Sequence, residues 1–248
     1  MENRRLLDHL ANDYARLRAV AERDLTADVP TCPGWMVTDL VRHVTEVYLH
    51  KTEAMRLADW PDPWPPDLSG EPPIAGLERA YAELTAEFAA RAPGDKAATW
   101  HGPDQTVGFW IRRMAQETVI HRIDAEIAVG EPVAEIADDL AVDGIDELLH
   151  LFLAYGAQQW AEYFAPALEE TPGHTVAVRV EGGSWLVTTS AEGVEVAGKD
   201  ADADAVISGP PAAVLRWLWA RGDDDAVAVA GSDAAVAPLR RLLVIATQ

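Results

Sequence analysis

The sequence has a single cysteine, Cys32, among its 248 residues, so no disulfide can form within the chain. A lone thiol fits a reducing compartment, and we therefore expect a cytoplasmic protein. No apolar run approaches the ~20 residues needed to cross a bilayer. The first residues, MENRRLLDHLANDY, lack the apolar core of a signal peptide. We therefore expect no membrane span and no secretion signal.

Positive charge is also scarce, because 20 lysines and arginines stand against 41 acidic residues and give a formal net charge of −21. Such an excess repels polyanions, so neither nucleic acid nor a membrane surface is expected as a partner. The sequence contains no internal repeat. Its apolar fraction of 49% is that of a globular protein, and its length allows one large domain or two of ordinary size.

The first two thirds of the chain consist of successive helical patterns. Apolar residues at three–four spacing predict helices over residues 3–22, 38–57, 75–91, 109–130 and 138–163. Proline-rich connectors at 25–35 and 60–73 separate the first three helices. The pattern predicts a helical bundle over residues 1–165.

The remainder of the chain changes to strand periodicity. HTVAVRV, residues 174–180, alternates apolar and polar side chains. Further strands are predicted at 184–190, 194–197, 205–208 and 227–230, with helices at 210–221 and 233–246. We expect the first three strands to form an antiparallel meander. Residues 172–248 therefore predict a small α+β domain.

Charged residues interrupt the apolar face of the helix predicted over 109–130. Glu117, His121 and Asp124 follow Trp110 and Met114 on one stripe of that helix. A glutamate and a histidine four residues apart can bind one metal ion together. Taken alone, Glu117 and His121 could also be a surface ion pair, or His121 could be a core histidine whose hydrogen bonds are satisfied. A third ligand is needed to decide.

His43 is the candidate third ligand, because it lies where the helix over 38–57 calls for an apolar core residue. A bundle can bring His43, Glu117 and His121 together in its core. Two imidazoles and one carboxylate are typical of catalytic zinc; nickel, cobalt, manganese and iron(II) remain alternatives. Asp124 could orient one of the metal-binding side chains or lie in the layer of residues that surrounds them. His50, two turns after His43, is the rival ligand, but a histidine near the helix end that faces water is the preferred interpretation.

Two stretches resemble the signatures of the mycothiol-dependent maleylpyruvate isomerase family. They are VPTCPGWMVTDLVRHV, residues 29–44, and ETVIHRIDAEIAVG, residues 117–130. The resemblance implies a DinB-like four-helix bundle that binds a metal, followed by a sterol-carrier-like α+β domain. The family's metal ligands fall on His43, Glu117 and His121, in agreement with the interrupted helix faces.

The resemblance also implies chemistry. Members of the family use the thiol mycothiol, which adds as a thiolate to an activated double bond and, after bond rotation, leaves again. An isomerase or an S-transferase is therefore expected, with a small, electrophilic, anionic substrate and a thiol cosubstrate, as a monomer or homodimer. Arg221 is the best match for the family's substrate-binding arginine, with Arg240 and Arg241 as competitors. Trp35 and Trp110 are expected to line the cofactor site.

Two other functions fit the same residues. A metal-dependent hydrolase would use metal-bound water, with Asp124 or Glu126 as general base. A non-catalytic carrier would hold an apolar ligand in the C-terminal domain. Cys32 could be a nucleophile, but no histidine-plus-orienter pattern supports this, so a buried structural thiol is the preferred interpretation.

Overall fold

The computed structural model describes residues 1–171, 173–198, 202–222 and 224–247. Contacts divide the chain into two compact units, residues 1–134 and 135–248. We call them unit 1 and unit 2 and describe each by itself. Residues 172 and 248, which bound the predicted C-terminal domain, lie outside the described residues.

Unit 1 contains four helices, all close to their predicted positions. They are α1 Asn3–Ala21, α2 Val37–Leu57, α3 Pro73–Ala90 and α4 Val107–Ala128. Local chemistry sets their starts. The Asp39 carboxylate accepts from the backbone N–H of Met36, 2.9 Å away, at the start of α2. Pro73 opens α3, where a missing N–H costs nothing. The Thr106 hydroxyl caps α4 by accepting from the Phe109 N–H.

The helix α4 forms the centre of the bundle. It packs against α1 and α2, while α2 also packs against α3. Almost every side chain between Val107 and Glu126 is buried, including charged ones. A helix that is enclosed on all sides must satisfy its polar groups through its neighbours. The charged residues of α4 therefore lie inside unit 1, in contact with α1 on one side and α2 on the other.

Unit 2 begins earlier than the predicted domain. Its first helices are α5 Asp138–Glu147, a π-helical segment Leu148–Tyr155, α6 Gly156–Gln159 and α7 Ala161–Glu169. Helical periodicity predicted that this region belongs to the bundle, whereas its contacts group it with the sheet. Thus α5 packs against a later helix, α8 Pro211–Leu218, and Trp185 Nε1 donates to Asp146, 3.0 Å away. Helical periodicity reveals an apolar face but not which core that face joins.

A five-stranded sheet completes unit 2, together with α8 and α9 Asp233–Ala246. The strands are β1 His174–Val180, β2 Gly183–Ser190, β3 Gly193–Ala197, β4 Ala205–Ser208 and β5 Ala228–Gly231, in the order β3-β2-β1-β4-β5. The predicted antiparallel meander of β1, β2 and β3 is present. The strand β4 joins β1 in parallel, and β5 pairs antiparallel with β4.

The helices that the structure describes include none with both the length and the apolar composition needed to span a membrane.

Candidate metal centre

Three predicted ligands converge between α2 and α4. His43, Glu117 and His121 each offer one ligand atom, and these atoms all lie within 4.8 Å of one another. The Nε2 atoms of His43 and His121 are each 3.2 Å from the same oxygen, Oε1 of Glu117. Among the described residues, this is the only group of three such side chains found at this spacing. Two imidazoles and a carboxylate fit a divalent transition metal.

The helices bring the trio together in a simple way. Glu117 and His121 are four residues apart on α4, so their side chains meet over one turn. His43 reaches them from α2, and the two imidazole ring centroids are 5.0 Å apart. His43 and Glu117 are partly buried and His121 is buried. The trio thus lies at the margin of the bundle core, where a ligand can reach it.

Hydrogen bonds and nearby positive charge keep the Glu117 carboxylate ionised. Burial alone would raise the pKa of Glu117, but His121, His43 and Arg113 together hold it well below its usual value. Arg113 Nη2 donates to Glu117 Oε2, 2.8 Å away, from a side chain that is itself buried. One carboxylate oxygen is therefore fixed by Arg113 while the other faces both histidines. This arrangement presents Glu117 Oε1 as an anionic ligand atom.

Asp124 contacts His121 from the side opposite to the trio. Its Oδ2 lies 3.0 Å from His121 Nδ1, and Thr31 Oγ1 donates to its Oδ1 over 2.6 Å. Burial would lower the pKa of His121, but the charge of Glu117 and the hydrogen bonds to Asp124 and Glu117 raise it to about 9. A carboxylate on Nδ1 leaves Nε2 directed at the trio. Asp124 therefore fixes the orientation of the His121 ring.

The two predicted cofactor-binding tryptophans have different surroundings. The Trp35 ring is partly exposed, and its centroid lies 5.1 Å from that of His43. Trp110 is fully buried, and its Nε1 donates to the carbonyl of Ala98, 2.9 Å away. Trp35 can thus contact a ligand next to His43, whereas Trp110 supports the core behind the site. Both cofactor-binding assignments stay predictions.

Arg221 belongs to unit 2. Its Nη1 donates to the carbonyl of Trp219, 2.6 Å away, and its guanidinium lies 5.8 Å from the Trp219 ring centroid. The competitor Arg240 lies 4.1 Å from the Trp217 ring centroid, and Arg241 is exposed. These contacts hold both guanidiniums against aromatic faces. The role of Arg221 in substrate binding stays a prediction.

Two alternative site residues, His50 and Glu126, lie outside the trio. The ring of His50 lies 5.4 Å from that of Trp60 and 4.9 Å from that of Trp64, outside the trio. Glu126, a candidate general base, accepts instead from Arg16 and Arg122, each over 2.7 Å. Glu126 is thus held in a buried ion cluster between α1 and α4.

Three residues around the trio were not predicted from the sequence. Arg113 could have been found, because it precedes Glu117 by one helical turn. Lys51 could also have been found, because it follows His43 by two turns on the same face of α2. Thr31 gave no signal, since it lies in a loop and meets Asp124 only through the fold.

Two family models match the chain. The mycothiol maleylpyruvate isomerase N-terminal domain matches residues 7–126, and the MDMPI C-terminal domain matches residues 139–238. The second match begins at α5, in agreement with the extent of unit 2. Among curated proteins, none is similar enough to match.

Solved structures share the fold. A crystal structure of the mycothiol-dependent maleylpyruvate isomerase has a TM-score of 0.60 at 16% identity, and covers 93% of each chain. A histidine-to-alanine mutant of the mycothiol-dependent maleylpyruvate isomerase gives 0.58 at 16% identity, over the same shares. The ubiquinone synthesis protein UbiJ-SCP2 matches 46% of this chain and 96% of its own at 21% identity, with a TM-score of 0.30. The predicted fold class is confirmed. The chain belongs to the mycothiol-dependent maleylpyruvate isomerase family.

Proposed function

We propose that this protein is a metal-dependent and mycothiol-dependent enzyme, an isomerase or S-transferase that acts on a small, anionic electrophile. The observation that carries the proposal is the convergence of His43, Glu117 and His121 within residues matched by the family's N-terminal model. The two solved structures that share the fold are described as mycothiol-dependent maleylpyruvate isomerase. Maleylpyruvate, an unsaturated carboxylate, is therefore the first substrate to test.

The trio would hold the metal through His43 Nε2, His121 Nε2 and Glu117 Oε1. A divalent ion there would lower the pKa of a thiol and keep it as the nucleophilic thiolate. Zinc is the first candidate because it accepts two imidazoles and a carboxylate and retains an open position. The thiol cosubstrate would supply reversible addition to an activated double bond, whose reversal after rotation gives the isomer.

Residues behind the trio have a positioning role. Asp124 keeps the proton of His121 on Nδ1, so that Nε2 offers its lone pair. Arg113 fixes the second oxygen of Glu117 and limits its rotation. The ring of Trp35, next to His43, offers an apolar face to a ligand. Together these contacts reduce the freedom that the ligand atoms would lose on binding a metal.

The arrangement favours the thiol reaction over the hydrolase alternative. Metal-assisted hydrolysis needs a general base within reach of the attacking water. Asp124 is hydrogen-bonded to His121 and Thr31, and Glu126 is paired with Arg16 and Arg122. Neither carboxylate is available for that role. A thiol nucleophile needs no such base, because its proton can be lost to solvent at neutral pH once its pKa is lowered.

A small-ligand carrier is the second candidate, favoured by one observation. Unit 2 contains a cavity of about 440 Å³ whose walls include Trp217, Trp219 and Arg240. Such a volume suits a small apolar or amphipathic molecule. Tryptophan fluorescence would report binding of such a molecule. If the carrier function is correct, the signal persists in His121→Ala, because that residue lies in unit 1.

The test of the proposed enzyme is metal content together with turnover. Wild type, His121→Ala and the control His150→Ala, a partly exposed histidine outside the trio, are purified and analysed by plasma mass spectrometry. We expect one divalent ion per chain in wild type and control, and none in His121→Ala. Only the metal-containing proteins should isomerise maleylpyruvate, and only with mycothiol. A wild type that turns over without any thiol would contradict the proposal.

A further inference from the structure

Lys51 lies on the face of α2 that carries His43. Residues 43, 47 and 51 are spaced by four, so they form one stripe along the helix. Eight residues of helix separate the Cα atoms of His43 and Lys51 by roughly 12 Å along the axis. Long helical side chains lean toward the N-terminus, so the lysine side chain leans back toward His43. Lys51 thus occupies the next layer of the bundle beside the trio.

The contacts of Lys51 hold its ammonium group in place. Nζ lies 4.8 Å from the ring centroid of Trp110, a cation–π distance. Nζ also lies 3.3 Å from Nδ1 of His50. Burial, together with the nearby charge of Lys51, lowers the pKa of His50 to about 4, so His50 is neutral and can accept a hydrogen bond. One of three ammonium donors is used, and two remain for another partner.

Among the residues that the structure describes, none supplies a counter-ion for this ammonium. Within the described part of the chain, Lys51 forms no salt bridge with a carboxylate. Arg56, five residues further along the same helix, is paired with Glu53, Glu83 and Glu87. A cation without a carboxylate is unexpected in a chain with 41 acidic and 20 basic residues. Partial burial of an unpaired ammonium is costly, which suggests that an anionic ligand completes the site.

The charges around Lys51 agree with this interpretation. Burial lowers the pKa of Lys51 to about 8, Glu117 opposes this decrease, and Arg113 adds to it. The charge of the ammonium is therefore coupled to Glu117 of the trio and to its partner Arg113. Because Glu117 is already bonded to Arg113 and both histidines, it is not available as a partner for Lys51. A carboxylate from outside the chain would supply the missing negative charge.

We infer that Lys51, held against the buried Trp110 ring, binds a carboxylate of the substrate and so forms an anion subsite within unit 1. The inference rests on the proposed function for the identity of the substrate. In this inference Lys51, beside the trio, determines the selectivity for anionic substrates. It does not require a contribution from Arg221. The subsite favours small unsaturated mono- or dicarboxylates over their neutral esters.

The inference is tested by measuring the binding of a charged and a neutral ligand to three variants. Lys51→Met removes the charge and keeps the length of the side chain, Lys51→Arg restores the charge, and Lys96→Met removes an exposed lysine elsewhere in unit 1. Maleate binding to the zinc-loaded proteins is measured by calorimetry, with dimethyl maleate as the neutral probe. We expect Lys51→Met to weaken maleate binding ~10–100-fold, Lys51→Arg to recover part of it, and Lys96→Met to match wild type.

Turnover separates this inference from the proposed function. With maleylpyruvate and mycothiol, Lys51→Met should raise KM, while its zinc content and melting temperature stay at wild-type values. Maleate binding within twofold of wild type in Lys51→Met, or no maleate binding to wild type, would overturn the inference and leave the proposed function intact. Conversely, wild-type protein without thiol-dependent turnover would refute the proposed function, while the calorimetry still decides whether Lys51 binds carboxylates.

Discussion

The helix α4 carries two buried charged clusters that face different neighbours. Toward α1, Arg122 and Glu126 join Asp13 and Arg16 in what we call the ion cluster. Toward α2, Glu117 and His121 join His43 in the trio. Both clusters place a carboxylate and a basic side chain four residues apart on one helix. The sequence spacing alone does not distinguish them.

The clusters differ in how completely their groups are satisfied. In the ion cluster, Glu126 accepts from Arg16, Arg122 and the N–H of Ala134, and Arg122 also donates to Asp13. Arginine brings several fixed donors, so cations and carboxylates alternate and balance. In the trio, two imidazole nitrogens approach one carboxylate oxygen. Because two imidazoles and a carboxylate form a donor set that a divalent cation can complete, we interpret the trio as a binding site and the ion cluster as a structural contact.

Glu126→Ala should produce the largest loss of stability. It removes the buried carboxylate that Arg16 and Arg122 share and leaves Arg122 with Asp13 as its remaining partner. Removal of one partner from a buried ion pair costs ~3–5 kcal/mol. Urea unfolding of the full chain, followed by far-UV circular dichroism, measures the loss of stability. Zinc content should remain at one per chain in the folded fraction. A stability loss below about 1 kcal/mol, as for exposed pairs, would show that the ion cluster is not structural.

His43→Ala should reduce zinc affinity strongly and stability only slightly, the reverse of the pattern expected for Glu126→Ala. The side chain is 36% exposed, so its removal should cost less than about 1 kcal/mol of stability in the metal-free protein. Zinc affinity should fall by more than ~100-fold, beyond the usual effect of residues behind a ligand. Competition with a fluorescent chelator measures this affinity, and urea unfolding in a chelating buffer measures the stability. Equal zinc affinity in wild type and His43→Ala would exclude His43 as a ligand.

Asp124→Asn tests the residue behind the trio. The amide keeps the shape of the side chain but loses the charge that holds the His121 ring. We expect zinc affinity to fall ~10–100-fold, the usual effect of losing such a partner. The effect should therefore lie between that of His43→Ala and that of wild type. The same chelator competition serves as the measurement, and an affinity as low as that of His43→Ala would make Asp124 a ligand itself.

The pH dependence of the trio follows from His121. Its pKa is raised from 6.5 to about 9 in the metal-free chain, and a metal must displace that proton. Zinc affinity should rise as pH increases toward 9, by up to ~tenfold per unit, and then level off. Stability of the metal-free protein should change in the opposite direction. Because the folded pKa exceeds the unfolded one, this contribution is complete below 6.5 and is lost as pH rises through about 9.

The helices and strands were predictable because their periodicity and end signals are local. The trio was predictable for a related reason. Glu117, His121 and His43 each occupy a helical position that should be apolar, so they are visible as anomalies. Membership of the region 138–163 in unit 2 was not predictable, since an apolar face fits any core. Thr31 needed the fold, because its contact with Asp124 depends on the distance between two segments and not on spacing along one element.

Cys32→Ser should have the smallest effect of all, and it tests where the reactive thiol comes from. Cys32 is partly buried, and its Sγ lies 3.8 Å from Asp124 Oδ2, a weak contact with the residue behind His121. If mycothiol is the nucleophile, Cys32→Ser should keep turnover and zinc affinity within about twofold of wild type, since serine can donate to the same carboxylate. Stopped assays with and without mycothiol measure this. Turnover that disappears in Cys32→Ser, with zinc content unchanged, would identify the protein's own thiol as the nucleophile and would remove the need for a thiol cosubstrate.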